Sequence, residues 1–410
     1  MSEPWEIPAS WQWSTMGDVA AVVGGGTPKS DQAEYFGGNI PWITPADLSG
    51  YTEKFISAGA RSITKAGLDN SGARVMPAGA VLFSSRAPIG YVAIASNPVS
   101  TNQGFKSFVL QDGLTSDFVY YYLHHAKKLA VEMASGTTFL EISGKKAAQL
   151  PIPVAPLDEQ RRIVAEIEKQ FTRLEAGVSA LKRVQANLKR YRAAVLKAAC
   201  EGRLVPTEKW PITTIRDVTL IVTKGSSPNW QGFEYCDDGV VFVRSQNVCW
   251  GKLDLSEVAH LPAGFNEKEK KSVLKVGDVL LNIVGASIGR AAIATSDVAG
   301  GNVNQAVAVI RCQQEKILPQ FLMIYLLSPA TQTLIHSQAV DVARANFSLG
   351  DISKMPVPIP SLAEQTRIVE EVERRLSVVE ELEAVVSANL QRATRLRQSI
   401  LQKAFLGELV

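Results

Sequence analysis

Leu150–Gln170 reads LPIPVAPLDEQRRIVAEIEKQ, and Met355–Arg375 reads MPVPIPSLAEQTRIVEEVERR. The two stretches lie 205 residues apart, half of the 410-residue chain, and the match runs without a gap to GRLV ending at Val205 and GELV ending at Val410. A repeat on this scale decides the architecture before any local pattern does. Upstream the likeness is weaker but keeps its order. GGTPKSDQAEYFGGNIPWI from Gly25 parallels GSSPNWQGFEYCDDGVVFVRS from Gly225, PAGAVLFSSRAPIG from Pro77 parallels KVGDVLLNIVGASIG from Lys275, and Asn102-Gln103 parallels Asn304-Gln305.

Each half divides into two parts. Residues 1–157 and 204–362 are rich in Gly, Pro, aromatic and β-branched residues, with short apolar runs such as AVLFSS and DVLLNIV bounded by turns, the mark of mixed α/β domains. Each also carries one expected helix, in DFVYYYLHHAKKLAVEM from Asp117 and QFLMIYLLSPATQTLI from Gln320. Residues 158–203 and 363–410 are nearly free of Gly and Pro and hold helical periodicity throughout. In the first, Ile163, Ile167, Phe171, Leu174, Val178, Leu181, Val184, Leu188, Tyr191 and Val195 recur at steps of three and four; Ile368, Val372, Leu376, Val379, Leu382, Val386, Leu390 and Ile400 do so in the second. At about 1.5 Å per residue each helix would be on the order of 65 Å long, too long to stand alone in water, so the two are expected to pair as a coiled coil. Seven glutamates between Glu364 and Glu383 face the demand of Lys182, Arg183, Lys189, Arg190, Arg192 and Lys197 only if the pair is antiparallel. Part of that asymmetry also suits each helix's own macrodipole. The expected fold is α+β: two mixed domains separated by two long antiparallel helices, with an internal pseudo-twofold repeat.

Composition narrows the function. Hydrophobic residues make up 46% and charged residues 20% of the chain, as in an ordinary globular protein. MSEPWEIPASWQW has no basic region followed by an apolar run, and no segment holds eighteen uninterrupted apolar residues, so a cytoplasmic protein without membrane contact is expected. Cys200, Cys236, Cys249 and Cys312 are too far apart for a C-x-x-C site, and His124, His125, His260 and His336 form no H-E-x-x-H pattern. Free thiols and no metal site are expected.

The loop VVGGGTPKSD from Val22 invites a nucleotide-phosphate reading, but Pro28 stands where a phosphate loop needs a glycine directly before its lysine. The second copy keeps neither lysine nor hydroxyl after the proline: Pro228 is followed by Asn229 and Trp230. A fixed frame carrying variable tips points to recognition.

The paired LPIPVAPLDEQRRIV and MPVPIPSLAEQTRIV, each opening a long helix behind a variable domain, resemble the specificity subunit of a type I restriction-modification system over the whole chain. The resemblance implies that residues 1–157 and 204–362 are target recognition domains, each reading one half of a split site in double-stranded DNA, and that residues 158–203 and 363–410 are spacer helices. It further implies that the proline-rich lead-ins and helix starts dock two methylation subunits, through Pro151, Pro153, Leu157, Glu159 and Gln160 in one copy and Pro356, Pro358, Leu362, Glu364 and Gln365 in the other. Two restriction/motor subunits would join through the methylation subunits. S-adenosylmethionine, ATP and Mg would belong to these partners, with no cofactor and no catalytic residue in this chain; no N-P-P-[YF], D-P-P-Y or Walker A sequence is present. Members often continue past the second G-[RE]-L-V motif.

Bulk charge adds little. Residues 1–157 hold 11 Lys+Arg against 12 Asp+Glu, and residues 204–362 hold 14 of each, so the phosphate attraction that dominates DNA affinity is expected to come largely from partners. Base reading calls for Arg, Lys, Asn, Gln, Ser or Thr at loop tips. The candidates in the first domain are Thr27, Lys29, Thr44, Ser84, Ser85, Arg86, Thr137, Thr138, Lys145 and Lys146. In the second they are Ser226, Ser227, Asn229, Arg244, Ser245, Gln246, Asn247, Asn282, Ser287, Arg290, Arg344 and Asn346. Many of these residue types also form turns; for Asn102-Gln103 and Asn304-Gln305, identical in both halves, that is the favoured role, whereas Arg86 and Arg244 are favoured as DNA contacts.

Overall fold

The computed structural model describes residues 4–136, 140–205, 209–338 and 346–410. The near-absence of Gly and Pro after Pro156 and Pro360 lets two helices of 44 residues form, Leu157–Cys200 and Leu362–Phe405. Each ends on a left-handed glycine, Gly202 (φ 67°) and Gly407 (φ 73°). There the N–H of Arg203 donates to the Ala198 carbonyl and that of Glu408 to the Lys403 carbonyl, both at 2.9 Å, the six-to-one bond of a glycine-terminated helix. The fold divides into two compact units that cut both long helices: residues 1–181 with 388–410, and residues 182–387.

The first unit has a five-stranded sheet in the order Ala20–Gly24, Lys106–Leu110, Val81–Ser85, Ile89–Ala95, Phe55–Ile56, and a three-stranded sheet centred on Phe36–Ile43. Val81–Ser85 is buried at every position because alternate side chains serve two cores. Val81 and Phe83 join the large core that reaches the helices, and Leu82 joins the smaller core between the sheets. The second unit repeats this with Thr219–Lys224, Val307–Cys312, Val279–Asn282 and Ala291–Ile293, beside a three-stranded sheet centred on Val240–Val243. The expected domain helices are each broken in two: Ser116–His125 stops before Lys127–Glu132, and Pro329 ends Pro319–Leu327 and starts Pro329–Gln338, since proline cannot continue a helix but suits its first turn.

Within each unit the two helix parts run antiparallel. In the first, Ile163 and Ile167 share a core with Ile400, Leu401, Ala404 and Phe405, together with Phe118 and Tyr122 of the domain. The Phe405 ring lies edge-on to Phe118 and Tyr122, each with centroids 5.2 Å apart, and the Trp5 indole N–H donates to the Phe405 carbonyl at 3.0 Å. In the second, Val195, Leu196 and Ala199 meet Ile368, Val369 and Val372 over Phe321. Arg397 pairs with Glu175 in the first unit and Arg192 with Glu380 in the second, one ion pair written twice at the displacement of the sequence repeat. These pairs are half exposed, so each contributes roughly 1 kcal/mol or less and acts on orientation more than on stability.

The charge asymmetry is met partly along each helix. Arg192 reaches Glu380 at 3.7 Å and Glu383 at 3.0 Å, but Glu371 is held by Arg374 and Arg375 of its own helix, which lower its carboxyl to about 2. The expected seam is also narrower: Val184, Tyr191 and Leu382 are exposed, because a two-helix contact buries only a thin stripe of each surface.

The repeated E-Q dipeptide fixes each helix to its domain. Gln160 and Gln365 are fully buried. The Gln160 side-chain oxygen accepts from the Thr115 N–H at 3.0 Å, while its amide donates to the Gly113 and Ala155 carbonyls, both at 2.8 Å. Gln365 does the same with the Leu318 N–H at 2.7 Å and the Lys316 and Pro360 carbonyls, both at 2.9 Å. The proline lead-ins are strands: Pro151–Val154 pairs with Gln12–Thr15 and Pro356–Pro358 with Ile212–Thr214, in two-stranded ribbons where missing N–H groups are tolerated. The hydroxyls of Tyr122 and Tyr325 donate to the carbonyls of Pro151 and Pro356. No described helix is long and apolar enough to cross a membrane.

Replacing Gln160 with Leu strands the buried Ala155 carbonyl and takes the partner from the half-buried Thr115 N–H and the Gly113 carbonyl, and denaturant unfolding is expected to show a loss of about 2–4 kcal/mol; a loss under about 1 kcal/mol would remove the amide from this role. A second prediction concerns pH. Burial against Phe405, whose ring stacks on it at 5.5 Å, and Trp5 lowers the His125 pKa below its ordinary 6.5. The unfolded chain therefore binds a proton below about pH 6.5 that the folded chain does not, so stability falls on acidification. His125→Phe is expected to flatten the decline in unfolding midpoint between about pH 7.5 and about pH 5.5; an unchanged slope would assign the effect elsewhere.

Candidate nucleic-acid interface

In both units, loops from distant parts of the sequence are drawn together at the sheet ends by the same backbone hydrogen bonds. In the first unit the Asn102 N–H donates to the Ile43 carbonyl at 3.0 Å, Ser85 N–H to Gly104 at 2.7 Å and Ile142 N–H to Ser85 at 3.0 Å. In the second, Asn304 N–H donates to Val243 at 3.1 Å, Ile283 N–H to Ala306 at 2.9 Å and Phe347 N–H to Ile283 at 2.8 Å. The frame is thus set by main chain, which leaves the side chains at its tips free to differ.

The glycine loop belongs to this frame. A Cβ on Gly25 would lie 1.8 Å from the Asn102 carbonyl oxygen, and one on Gly225 would lie 1.6 Å from that of Val303. Glycine is required there for the close approach of two chains, and the Trp42 indole N–H donates to the Gly26 carbonyl at 2.9 Å. Asn102 and Asn304 close their own turns, their side-chain oxygens accepting from the N–H of Gly104 at 2.9 Å and of Ala306 at 3.2 Å. The identical Asn residues therefore serve the frame.

Several candidates are consumed by it as well. Ser84, Ser85, Asn247 and Asn282 are buried. Ser84 donates to the Pro88 carbonyl and accepts from the Tyr91 N–H, both at 2.8 Å. Asn247 accepts from the Arg244 N–H at 2.9 Å and donates to the Asp254 and Glu257 carbonyls; Asn282 donates to the Ser245 carbonyl at 2.7 Å. All four are corrected from tip residues, since a side chain closed off from solvent presents no edge to a base; Ser84, Asn247 and Asn282 support the frame, whereas the buried Ser85 hydroxyl makes no hydrogen bond. Thr44 bonds Asp47 through both its N–H and its hydroxyl at 2.7 Å. Burial opposes the Asp47 charge, but donors from Ala60 and Thr44 outweigh it and hold the carboxyl below its ordinary value. Gln160 and Gln365 are likewise corrected: their amides are saturated inside their own units and have nothing left for a docking partner. Pro153 is buried, whereas Leu157, Pro356 and Leu362 are exposed and Pro151, Glu159 and Pro358 half-buried. Glu364 caps its helix, accepting from the Ser361 N–H at 2.9 Å and hydroxyl at 2.7 Å.

The remaining tips stay at the surface. Thr27, whose hydroxyl donates to Gln103, and Lys29 are exposed. Lys145 is exposed and Lys146 half-buried on the short helix Gly144–Ala148. Arg86 lies 3.8 Å from Glu141, and Lys106 lies 3.4 Å from the other oxygen of that carboxylate. In the second unit Ser226 accepts from the Gln231 amide at 2.9 Å, and Ser227, Ser245, Ser287 and Arg290 are half-buried. Asn229, Gln246 and Asn346 are exposed. Arg244 donates one guanidinium N–H to the Glu257 carbonyl at 3.1 Å. Thr137, Thr138 and Arg344 lie outside the described residues. Sequence reasoning missed Glu141, Lys106 and the exposed Trp230 beside Asn229; the 205-residue displacement that sets Glu141 against Asn346 was the available signal. Among the described residues no cluster of His, Cys, Asp or Glu could hold a metal ion.

The chain matches the family described as type I restriction modification DNA specificity domain over residues 8–182 and 207–386. It is 28% identical to the type I restriction enzyme EcoBI specificity subunit of Escherichia coli, across 98% of this chain and 87% of that protein. It is 42% identical to the MjaIX specificity subunit of Methanocaldococcus jannaschii, over 38% of this chain and only 37% of that relative's length. A solved chain from work on assembly and conformational transition of the type I R-M system superimposes with a TM-score of 0.79 at 19% identity, covering 99% of this chain and all of that one. The HsdS subunit from Thermoanaerobacter tengcongensis gives 0.58 at 18%, with full coverage of both.

Gly225→Ala forces the loop off Val303. Hydrogen exchange is expected to rise at residues 303–306 and to stay unchanged at residues 101–105, because each frame is closed within its own unit; a rise at both would show that the frames are not independent.

Proposed function

The chain belongs to the type I restriction-modification DNA specificity family, and from that membership we propose that each unit reads one half of a bipartite site in double-stranded DNA. The observation that carries this is the doubled loop frame, closed by three equivalent main-chain bonds in each unit and divergent in its exposed tips. One frame built twice with different tips suits two different half-sites. In this reading Arg244, Gln246, Asn229, Arg290 and Asn346 serve one half, and Arg86, Thr27, Lys29, Lys145 and Lys146 the other. The division into recognition domains 1–157 and 204–362, with spacer helices 158–203 and 363–410 that set the gap, belongs to the same proposal.

The chain acts as a non-catalytic partner. Two methylation subunits dock at the helix starts, where Leu157 and Leu362 are exposed, and restriction subunits join through them. S-adenosylmethionine, ATP and Mg are bound by those partners. Near-neutral recognition domains leave much of the phosphate attraction to the assembly.

The test is the complex of this chain with its methylation partners, read by mapping methylated adenines across a genome. A bipartite sequence with a fixed gap is expected. Arg244→Ala should relax one position in one half, at a cost of about 1–3 kcal/mol. Uniform weakening at every site would make Arg244 a phosphate contact, and methyl transfer by the purified chain alone would overturn the non-catalytic role.

A further inference from the structure

Resting on the reading of two half-site readers, we infer that Arg86 with Glu141 in the first unit, and Val284 with Asn346 in the second, are the same frame position carrying two different base specificities. The equivalence is geometric. In each unit the chain leaving the central strand is bonded to the chain entering the last short helix, Ile142 N–H to Ser85 at 3.0 Å and Phe347 N–H to Ile283 at 2.8 Å. Those bonds set Arg86 opposite Glu141 and Val284 opposite Asn346 as isolated antiparallel bridges. The next residues match as well: Ser143 and Ser348 both cap the helix that follows.

Several frame positions are kept in both copies, Gly25 and Gly225, Asn102 and Asn304, Ser143 and Ser348, while Ser84 and Asn282 bond the loops with different side chains at one position. At this bridge the chemistry is replaced outright, an ion pair in one unit and an apolar residue with an amide in the other. The main chain holds the position in both; the Asn346 side chain is exposed, and Val284 lies partly buried against the core of the second unit.

Their state fits reading. Arg86 is 38% exposed and its carboxylate partner 40%, at 3.8 Å, beyond hydrogen-bond distance. Glu141 is shared with Lys106 at 3.4 Å. The guanidinium is steered by this carboxylate without being consumed, which makes Glu141 a positioning residue. A fork of donors presented in this way matches O6 and N7 of guanine. The exposed Asn346 amide matches N6 and N7 of adenine, and Val284 beside it offers methyl groups to the thymine methyl. The first unit is therefore assigned a G·C pair at this position and the second an A·T pair.

The experiment uses the complex with its methylation partners and compares the methylated sequence of each variant with that of the unaltered chain. Arg86→Ala is expected to lose roughly ten- to hundred-fold discrimination at one G·C position of one half-site, and Asn346→Ala the same at one A·T position of the other. Glu141→Gln should relax the same base pair as Arg86→Ala to a smaller degree; relaxation of a different pair, or none, removes its positioning role. Arg86→Lys keeps the charge without the fork and should relax that pair too, which covers a failure of Arg86→Ala to fold. Unchanged half-sites, or equal weakening at all sites, overturn the inference while the two-reader account stands. An unaltered complex whose methylated sequence is not bipartite overturns that account itself.

Discussion

A glutamine amide buried in each unit and hydrogen-bonded chiefly to main chain of its own domain is the constraint on which the rest depends. Gln160 and Gln365 sit one turn into the long helices, and their bonds to Gly113, Thr115 and Ala155, or to Lys316, Leu318 and Pro360, fix the direction in which each helix leaves its domain. A buried amide is costly unless every group is satisfied, so alternative directions are strongly disfavoured. Apolar packing then completes what the amide has oriented: Ile163 and Ile167 in one core, Ile368 and Val372 in the other.

The same division between direction and variation holds at the far end of each domain. Main-chain bonds and close-approach glycines draw the loops together, and side chains that do not touch the frame are released from its demands. A sheet whose central strand is buried on both faces resists change along its length. Change is therefore confined to the tips, where a new side chain alters what is recognised without altering what holds it.

Much of this was legible in the sequence, for identifiable reasons. The doubled lead-in, the helix stops at Gly202 and Gly407 and the apolar runs of the central strands each follow from local chemistry repeated at one displacement. The failures share a cause. Val184, Tyr191 and Leu382 continue the apolar spacing yet face water, because spacing reports periodicity and not the width of the contact. Gln160 and Gln365 were assigned to docking with the rest of the lead-ins, on the family resemblance alone; only the positions of Thr115 and Leu318, far away in sequence, make burial sensible. Ser84, Asn247 and Asn282 were ambiguous, since the residue types that read bases are those that satisfy buried loops. The link between Arg86 and Glu141 spans 55 residues, and no periodic signal carries across that distance.

The first unit is assembled from both ends of the chain, and this has a consequence for synthesis. Residues 182–387 are contiguous and can close their cores as soon as they emerge. The earlier-made domain cannot: its core lacks Ile400, Leu401, Ala404 and Phe405 until those residues are translated. At about 5–20 residues per second, that wait is on the order of ten to forty-five seconds, during which Phe118, Tyr122 and their neighbours are without their final cover. The part of the molecule translated first is the last to be completed, so a ribosome that stops short of Phe405 leaves it, and not the second unit, as the exposed and aggregation-prone product.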